Sequence, residues 1–233
     1  MKKETKYVAF STQKGGAGKT TITVLVASYL HYVKGYNVGV IDCDYPQHSI
    51  IEMRERDLKM ALEDDHYKGM AYDQFTIADA DHLITQGNFD FIFFDLPGTL
   101  NNNDLIHTLA RMDYIIAPIS ADRVVLESTL NYMIVVKDHL MKNSQSNIKA
   151  LYLLWNLVDG REKTELYEVY EKVMKDLDFS ILKTFLPDTK RFRREQSISH
   201  KALFRSTLFP ADRALERGSN LESLVDELLE LLK

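Results

Sequence analysis

Short apolar runs alternate with longer amphipathic stretches through most of the chain. The runs have the length and the β-branched and aromatic content of strands that are buried on both faces of a sheet. We predict such strands at residues 7–11, 37–43, 91–94, 113–119 and 148–155. Because strands and helices alternate, the expected fold class is α/β: a doubly wound, mostly parallel sheet in one domain over residues 1–233.

The amphipathic stretches predict the helices between these strands. The first helix covers residues 19–34 and ends at Gly35, a residue that commonly follows a helix C-terminus. Asp122 is expected to cap a long helix that reaches residue 142. The residues of this helix that are expected to face inward are Val124, Val125, Leu126, Leu130, Met133, Ile134 and Leu140.

The remaining helices differ in how clearly the pattern predicts them. An acidic helix is expected at 50–65, and amphipathic helices at 161–177 and 221–232. The stretch 67–87 is the least regular, and we predict only a short strand near Phe75 and a helix at 78–86.

A glycine-rich loop, Lys14-Gly15-Gly16-Ala17-Gly18-Lys19-Thr20, joins the first strand to the first helix. Glycines let successive backbone N–H groups point at an anion, and the helix that follows adds the positive end of its dipole. The Lys19 ammonium can reach the β- and γ-phosphates of a nucleotide, and the Thr20 hydroxyl can bind Mg²⁺. The residues expected around the phosphates are Gly15, Gly16, Ala17, Gly18, Lys19, Thr20 and Thr21.

The loop departs from the ordinary pattern G-x-x-x-x-G-K-[ST], because Gln13 stands where that pattern has its first glycine. A second lysine, Lys14, precedes the glycines. This arrangement is the deviant form of the Walker A motif. Strand, loop and helix follow in the required order, which disfavours a plain glycine turn with two solvated lysines.

Two predicted strands deliver aspartates to the same edge of the sheet. Asp42 lies at the end of the strand at 37–43, and Asp95 follows the run 91–94 and precedes Pro97-Gly98. Ligands of open α/β sheets bind outside the carboxyl ends of the strands. Asp95 fits a Walker B motif and is expected to hold Mg²⁺ through a water, because this ion dehydrates reluctantly. Asp42 is a second candidate ligand, and a structural role as a strand-end cap is the alternative for this residue.

Together these motifs resemble those of the ParA/MinD-type ATPases, which position plasmids, chromosomes and other cargo. The resemblance covers essentially the whole chain and implies ATP and Mg²⁺ as cofactors and a homodimer that forms around the nucleotide. In that family the extra lysine, here Lys14, reaches the nucleotide of the partner subunit. The first aspartate, here Asp42, orients the attacking water. The implied catalytic residues are therefore Lys14, Lys19 and Asp42.

The same resemblance implies contacts beyond the phosphate loop. Gly98 would offer its N–H to the γ-phosphate and so sense hydrolysis. Asn156 would contact the edge of the adenine base. The alternative is that this side chain caps a turn. The segment 181–187 resembles the final strand of that family, and Pro187 and Asp188 at its end would flank the base.

One segment departs from the family pattern. Residues 42–49 resemble the D-x-D-P-Q-x-S segment with one extra residue, Tyr45, as in the relatives that resemble the MipZ proteins. Asp44 and Gln47 would lie at the γ-phosphate or on the dimer face. The insertion leaves the register of these two residues open.

Composition narrows the class of protein. The chain has 233 residues, 45% of them hydrophobic, which is enough for one substantial core. The single cysteine, Cys43, excludes a disulfide framework and a subunit-bridging iron–sulfur cluster. No secretory pattern and no apolar run of about 20 residues is present. We therefore expect a cytoplasmic protein, with nucleoid association as one form of it.

Charge is distributed unevenly. The net charge is −5, whereas residues 188–217 carry eight basic and four acidic residues. Relatives that associate with the nucleoid bind DNA non-specifically through this region. The alternative is that these basic residues form a solvated face with ion pairs. The candidate DNA contacts are Arg191, Arg193, Arg194, Lys201 and Arg205.

The last predicted helix bears on membrane binding. Its polar face is acidic, and anionic lipid would repel it. We therefore expect no membrane partner. The residues of that face are Glu222, Asp226, Glu227 and Glu230.

The functional prediction is a slow, dimerising ATPase that acts as a spatial switch for DNA partitioning or cargo positioning, stimulated by a protein partner. Three alternatives remain open on the same scaffold. One is an ATP-gated accessory protein of a conjugation or mobile-element apparatus. Another is a small-molecule ligase similar to dethiobiotin synthetase. A tyrosine-kinase relative is the third, although the sequence has no tyrosine after Tyr170.

Overall fold

The computed structural model describes residues 4–63, 74–98, 103–161, 164–193 and 203–233. Its strands are β1 (Lys6–Phe10), β2 (Val38–Asp42), β3 (Thr76–Ile77), β4 (Phe91–Asp95), β5 (Tyr114–Ile119), β6 (Ala150–Trp155) and β7 (Ser180–Ile181). They form a seven-stranded sheet in the order β3-β2-β4-β1-β5-β6-β7. Every neighbouring pair is parallel.

Helices cover both faces of this sheet, so the doubly wound α/β prediction is confirmed. Side chains of α1, α2 and α8 share one buried cluster, and those of α3, α4, α5 and α6 share the other. The ranges are α1 (Lys19–Ser28), α2 (Ser49–Glu63), α3 (Ala80–Gln86), α4 (Asn103–Ala110), α5 (Arg123–Val135), α6 (Thr164–Asp176), α7 (Arg213–Glu216) and α8 (Leu221–Leu231).

The central strands are buried on both faces, which explains their nearly continuous apolar sequences. All residues of β4 and β5 are buried, and Phe93 stacks on Phe10 with 6.2 Å between ring centroids. The register places Asp95 beside Asp42 on one side and Phe10 on the other. The carboxyl ends of β2, β4 and β1 therefore finish level, at the edge where the glycine-rich loop begins.

Local chemistry sets several helix ends as predicted. The Asp122 carboxylate accepts a hydrogen bond of 2.9 Å from the Val125 N–H, and Gly35 has φ +74°. The two long predicted helices are regular only in part. α1 continues as a π-helical turn at Tyr29–Val33, and α5 continues as another at Val136–Met141.

Two packing expectations were wrong. Val124, expected to face inward, is 63% exposed, because only one of three successive apolar residues can point at the sheet and Leu126 does so. The expected final strand at 181–187 is only the short β7. Glu227 of α8 accepts the N–H groups of Lys183 and Thr184 at 2.7 and 2.8 Å, which removes these donors from the sheet.

α6 is amphipathic as predicted, but its spacing did not show which apolar residues are buried. Met174 is fully buried, whereas Val169 is 61% and Val173 is 45% exposed.

This contrast within α6 generates a stability prediction. Met174→Ala should lower the free energy of unfolding by about 2–5 kcal/mol, because it leaves a cavity in the core. The matched Val169→Ala change should cost less than about 0.5 kcal/mol. Urea unfolding of both variants checks this, and similar losses at the two positions would contradict the assigned face.

Candidate functional site

The glycine-rich loop leads into a helix whose first turn is left open. Gly16 and Gly18 have φ of +79° and +87°, left-handed conformations that side chains rarely adopt. α1 begins at Lys19 without a side-chain cap, and its first intrahelical bond runs from the Ile22 N–H to the Gly18 carbonyl. The first N–H groups of the helix have no intrahelical acceptor and are available to an anion.

Asn156, at the end of β6, holds this loop from the side. Its amide Nδ2 donates to the Ala17 carbonyl at 2.8 Å, and the residue is 6% exposed. A Cβ at Gly18 would lie 2.6 Å from that Nδ2. Glycine at position 18 is therefore needed both for its backbone conformation and for the space that Asn156 fills.

Two hydroxyl pairs hold the beginning of the loop against α5. The Ser11 Oγ lies 2.6 Å from the Tyr132 hydroxyl, and the Thr12 Oγ1 lies 2.9 Å from the Thr129 Oγ1. All these hydroxyl groups are buried. Sequence reasoning missed them, although two hydroxyl residues directly before a phosphate loop were a visible signal.

Asp95 occupies an unusual environment for a carboxylate. It is 0% exposed, and neither of its oxygens makes a hydrogen bond within the described part of the chain. Burial is the main cause that raises the pKa of Asp95 to about 7, and Asp42 and Asp44 add to the shift. The nearby Thr20 hydroxyl and Lys19 ammonium oppose it only in part. Such a group is well placed to bind a cation.

Lys19 lies between the loop and the carboxylates. Burial lowers the pKa of its ammonium, while Asp95 and Asp44 act in the opposite direction. A Cβ at Gly98 would lie 3.5 Å from the Lys19 Nζ and 3.1 Å from the Gln13 carbonyl. The loop after β4 therefore closes tightly on the phosphate loop, and a larger residue at position 98 would disturb both.

Asp42 has a structural role as well as a place beside Asp95. Its Oδ2 accepts hydrogen bonds from the Ile50 and Ile51 N–H groups at 2.9 and 3.2 Å. Asp42 therefore caps α2, which matches the alternative of a strand-end cap more closely than a free catalytic carboxylate. Its role toward water stays a prediction.

The extra residue in the 42–49 segment faces solvent. Tyr45 is 79% exposed and contacts the His48 ring. Asp44, Tyr45, Gln47 and Ser49 all line a cavity of about 590 Å³, whose other wall is the phosphate loop with Pro97 and Gly98. Both Asp44 and Gln47 therefore lie at this cavity.

The remaining predicted site residues are dispersed around this centre. Lys14 is exposed at the start of the loop. Pro187 pairs with Val158 in a parallel bridge, and the Asp188 N–H donates to the Val158 carbonyl at 2.9 Å.

The candidate DNA contacts divide into two groups. Arg191 donates to the carbonyls of Leu215 and Arg217, and Arg205 donates to the Thr21 hydroxyl. Both guanidinium groups therefore bind protein atoms. Arg194, Lys201 and the side chain of Arg193 lie outside the described residues. None of the described helices combines the length and the apolar content that a membrane-spanning helix needs.

Comparisons with known proteins agree with this geometry. The model of the CobQ/CobB/MinD/ParA nucleotide binding domain matches residues 8–200. The uncharacterized protein BBD21 of Borreliella burgdorferi is 34% identical over 113 residues, which are 48% of this chain and 42% of that protein. The match thus spans less than half the length of this relative.

Solved structures share the fold at low identity. A proposed plasmid partition protein of Borrelia burgdorferi, bound to AMPPNP, has a TM-score of 0.64 at 16% identity and covers 98% of this chain and 100% of its own. Cobyrinic acid a,c-diamide synthase of Mycobacterium smegmatis, with a bound ATP analogue and magnesium, has a TM-score of 0.60 at 16% identity, with 99% and 96% covered.

The Asp95 environment predicts how stability depends on pH. Without nucleotide and Mg²⁺, the folded protein keeps this carboxyl protonated below its pKa of about 7, against 3.8 in the unfolded chain. Ionisation of the buried carboxyl therefore destabilises the folded protein. This loss of stability is absent near pH 3.8 and grows as the pH rises. Above a pH of about 7 it reaches its full value, on the order of 1–4 kcal/mol. Asp95→Asn should therefore stabilise the ligand-free protein at pH 8 and progressively less toward pH 5. Urea unfolding across this range checks this, and a constant difference would contradict it.

Proposed function

The chain belongs to the CobQ/CobB/MinD/ParA nucleotide-binding family, and from that premise we propose that it is a Mg·ATP-dependent ATPase of the ParA type. It binds ATP in the cavity, dimerises around it and hydrolyses it slowly, as a spatial switch for DNA partitioning or cargo positioning. One observation supports this proposal more strongly than any other. Within the described residues, neither oxygen of the buried Asp95 carboxyl has a hydrogen-bond partner. This carboxyl lies close to Lys19 and Thr20, at an open helix start.

The residues present fit a nucleotide with Mg²⁺. Magnesium prefers oxygen ligands and keeps several waters, so the Thr20 hydroxyl and the Asp95 carboxylate would hold it, with Asp42 as a further candidate. When bound, the ion would neutralise charge on the phosphates. The backbone of residues 15–21 would cradle the phosphates, and Gly98 would approach the γ-phosphate.

The base would lie farther along the carboxyl edge of the sheet. Asn156, Pro187 and Asp188 are the proposed contacts there. For Asn156 this contact has to coexist with its hydrogen bond to the Ala17 carbonyl. A base contact and a loop contact from one side chain would link adenine binding to the shape of the phosphate loop.

Catalysis depends on positioning and charge neutralisation more than on strong bases. Lys19 would stabilise the phosphates of its own subunit, and the exposed Lys14 would reach the nucleotide of the partner. Asp42 would orient the attacking water from its place beside Asp95. Its role as the cap of α2 means that a change at Asp42 should keep an acceptor, as Asn does.

The ATP-bound dimer must bind a partner that responds to its state, which we call its readout. Non-specific DNA is the first candidate for this partner. The basic excess of residues 188–217 supports it, with Arg191, Arg193, Arg194 and Lys201 as contacts. A protein partner would stimulate hydrolysis and release the dimer. The site of action would be the cytoplasm, on the nucleoid.

A second candidate readout is a protein partner, as in an accessory role in a mobile-element apparatus. The hydrogen bonds that Arg191 and Arg205 make inside the protein favour it. A small-molecule ligase is a third candidate, supported by the shared fold with cobyrinic acid a,c-diamide synthase. Substrate-dependent ATP turnover would distinguish this ligase.

Substitutions of the two loop lysines should have different effects on ATP binding and on ATP turnover. Lys19→Ala should weaken ATP binding about 100-fold or more, because it removes a half-buried cation from the phosphate site. Lys14→Ala should keep binding within a few-fold but lower turnover at least about 100-fold, as the loss of a cation supplied in trans does. Equilibrium binding of a fluorescent ATP analogue and steady-state phosphate release measure both effects.

Lys142→Ala is the matched control, because this lysine is exposed and forms an ion pair with Asp138 one helical turn away. It should change neither quantity. Unchanged turnover in Lys14→Ala would refute the role in trans, and normal ATP affinity in Lys19→Ala would refute the phosphate site.

DNA binding should depend on nucleotide and on salt. The Asp42→Asn variant, which should hold ATP longer, is expected to bind non-specific duplex DNA with Mg·ATP and not with Mg·ADP. Its affinity should fall steeply between 50 and 200 mM salt, because phosphate contacts release counterions. Replacing Arg193, Arg194 and Lys201 together by Ala should reduce the salt dependence.

Arg123→Ala, on an exposed arginine that pairs with Glu127, is the control for this experiment. An absence of binding with either nucleotide would leave the ATPase intact and favour the protein readout.

A further inference from the structure

The segment of residues 203–209 lies inside the protein without forming a helix or a strand. Most of its side chains are at most 5% exposed: Leu203, Phe204, Ser206, Thr207, Leu208 and Phe209. Such a buried segment must satisfy its polar groups through side chains. α1 and α2 supply these contacts, and both helices begin at the nucleotide cavity.

α2 binds the segment through a buried acid and a partly buried base. The Asp57 Oδ2 accepts hydrogen bonds from the Ser206 Oγ, the Thr207 N–H and the Thr207 Oγ1, at 3.1, 2.6 and 2.7 Å. Arg54 donates to the Thr207 Oγ1 and carbonyl, both at 3.0 Å. Burying these charges is costly unless they are well bonded, and so the contacts favour one arrangement of α2 on the segment.

α1 and its π-helical turn bind the other side of the segment. The Arg205 Nη1 donates to the Thr21 Oγ1 in the first turn of α1. Farther along, the Tyr32 hydroxyl donates to the Thr207 carbonyl at 2.9 Å and the Ser28 hydroxyl to the Phe209 carbonyl at 3.0 Å. The segment is therefore fixed to the helix that carries the predicted phosphate and magnesium groups.

These contacts connect α2, the segment 203–209 and α1 around the proposed nucleotide cavity. Asp42 caps the start of α2, α2 holds the segment through Asp57, and Arg205 holds the start of α1. We propose that Arg205 and Asp57 are positioning residues for the ATP reaction. They keep Thr20 and Thr21 on one wall of the cavity in register with the 44–49 segment on the other wall. Asp42 anchors that segment through the start of α2.

This inference rests on the proposed ATPase function and gives Arg205 a role other than DNA contact. A DNA contact acts only when DNA is present. A positioning residue changes ATP turnover without DNA, and it acts through Thr21. The two roles therefore predict opposite results in an experiment with purified protein and nucleotide alone.

The experiment is a double-mutant cycle on Arg205 and Thr21. Arg205→Ala and Thr21→Val should each lower ATP turnover about tenfold without DNA, with a change of less than about threefold in KM. Because both changes break one contact, the double variant should be no slower than the slower single variant. Arg205→Lys, which keeps the charge and a donor, should recover part of the rate, and Asp57→Asn should lower it.

Arg213→Ala provides a control on an exposed arginine of the same region, and it should leave turnover unchanged. Thermal unfolding of each variant reports folding. Thr21→Val retains the size of its side chain and keeps the test decisive if Arg205→Ala does not fold.

Three results would overturn the inference. They are unchanged turnover in Arg205→Ala with weaker DNA binding, additive losses in the double variant, or equal tenfold losses in Arg213→Ala. A natural chain that neither binds nor hydrolyses ATP would instead refute the proposed function itself. The failure of one claim is therefore distinguishable from the failure of the other.

Discussion

The phosphate loop must hold a left-handed backbone before any ligand arrives, and the architecture around it serves that requirement. Gly16 and Gly18 permit the conformation, and contacts from distant parts of the chain hold it in place. Asn156 holds the Ala17 carbonyl from β6, and the hydroxyls of α5 hold Ser11 and Thr12. A loop fixed in this way loses little conformational freedom on binding, so more of the interaction energy appears as affinity.

The second constraint is electrostatic and concerns groups that the fold leaves incompletely satisfied. Burial raises the pKa of Asp95 and lowers the pKa of Lys19, because each charge is costly away from water. Each group partly offsets the cost for the other, yet neither carboxylate oxygen of Asp95 has a hydrogen bond in the described chain. A cation beside Asp95 and phosphates beside Lys19 would relieve both costs. A bound cation and phosphates would thus remove a destabilisation that is built into the site, which is a common property of functional sites.

Local patterns were sufficient to predict the core strands and the edge of the sheet at which Asp42 and Asp95 lie. The apolar runs located the central strands, and the ends of two of them placed Asp42 and Asp95 in one register pair. What local patterns missed depends on contacts between residues far apart in the chain. The Asn156–Ala17 bond spans 139 positions and the Asp57–Thr207 bond spans 150. Helical spacing also could not show that Met174 is buried while Val169 is exposed, because it defines a periodicity and not the element that the helix packs against.

In the proposed mechanism, ATP converts this chain from a monomer to a dimer in which Lys14 acts across subunits. Light scattering after size exclusion measures this directly, on the Asp42→Asn variant with Mg·ATP or Mg·ADP and on the same variant that also carries Lys14→Ala. We expect a dimer mass only for Asp42→Asn with Mg·ATP. A monomer mass in that sample, with ATP shown to be bound, would refute ATP-dependent dimerisation.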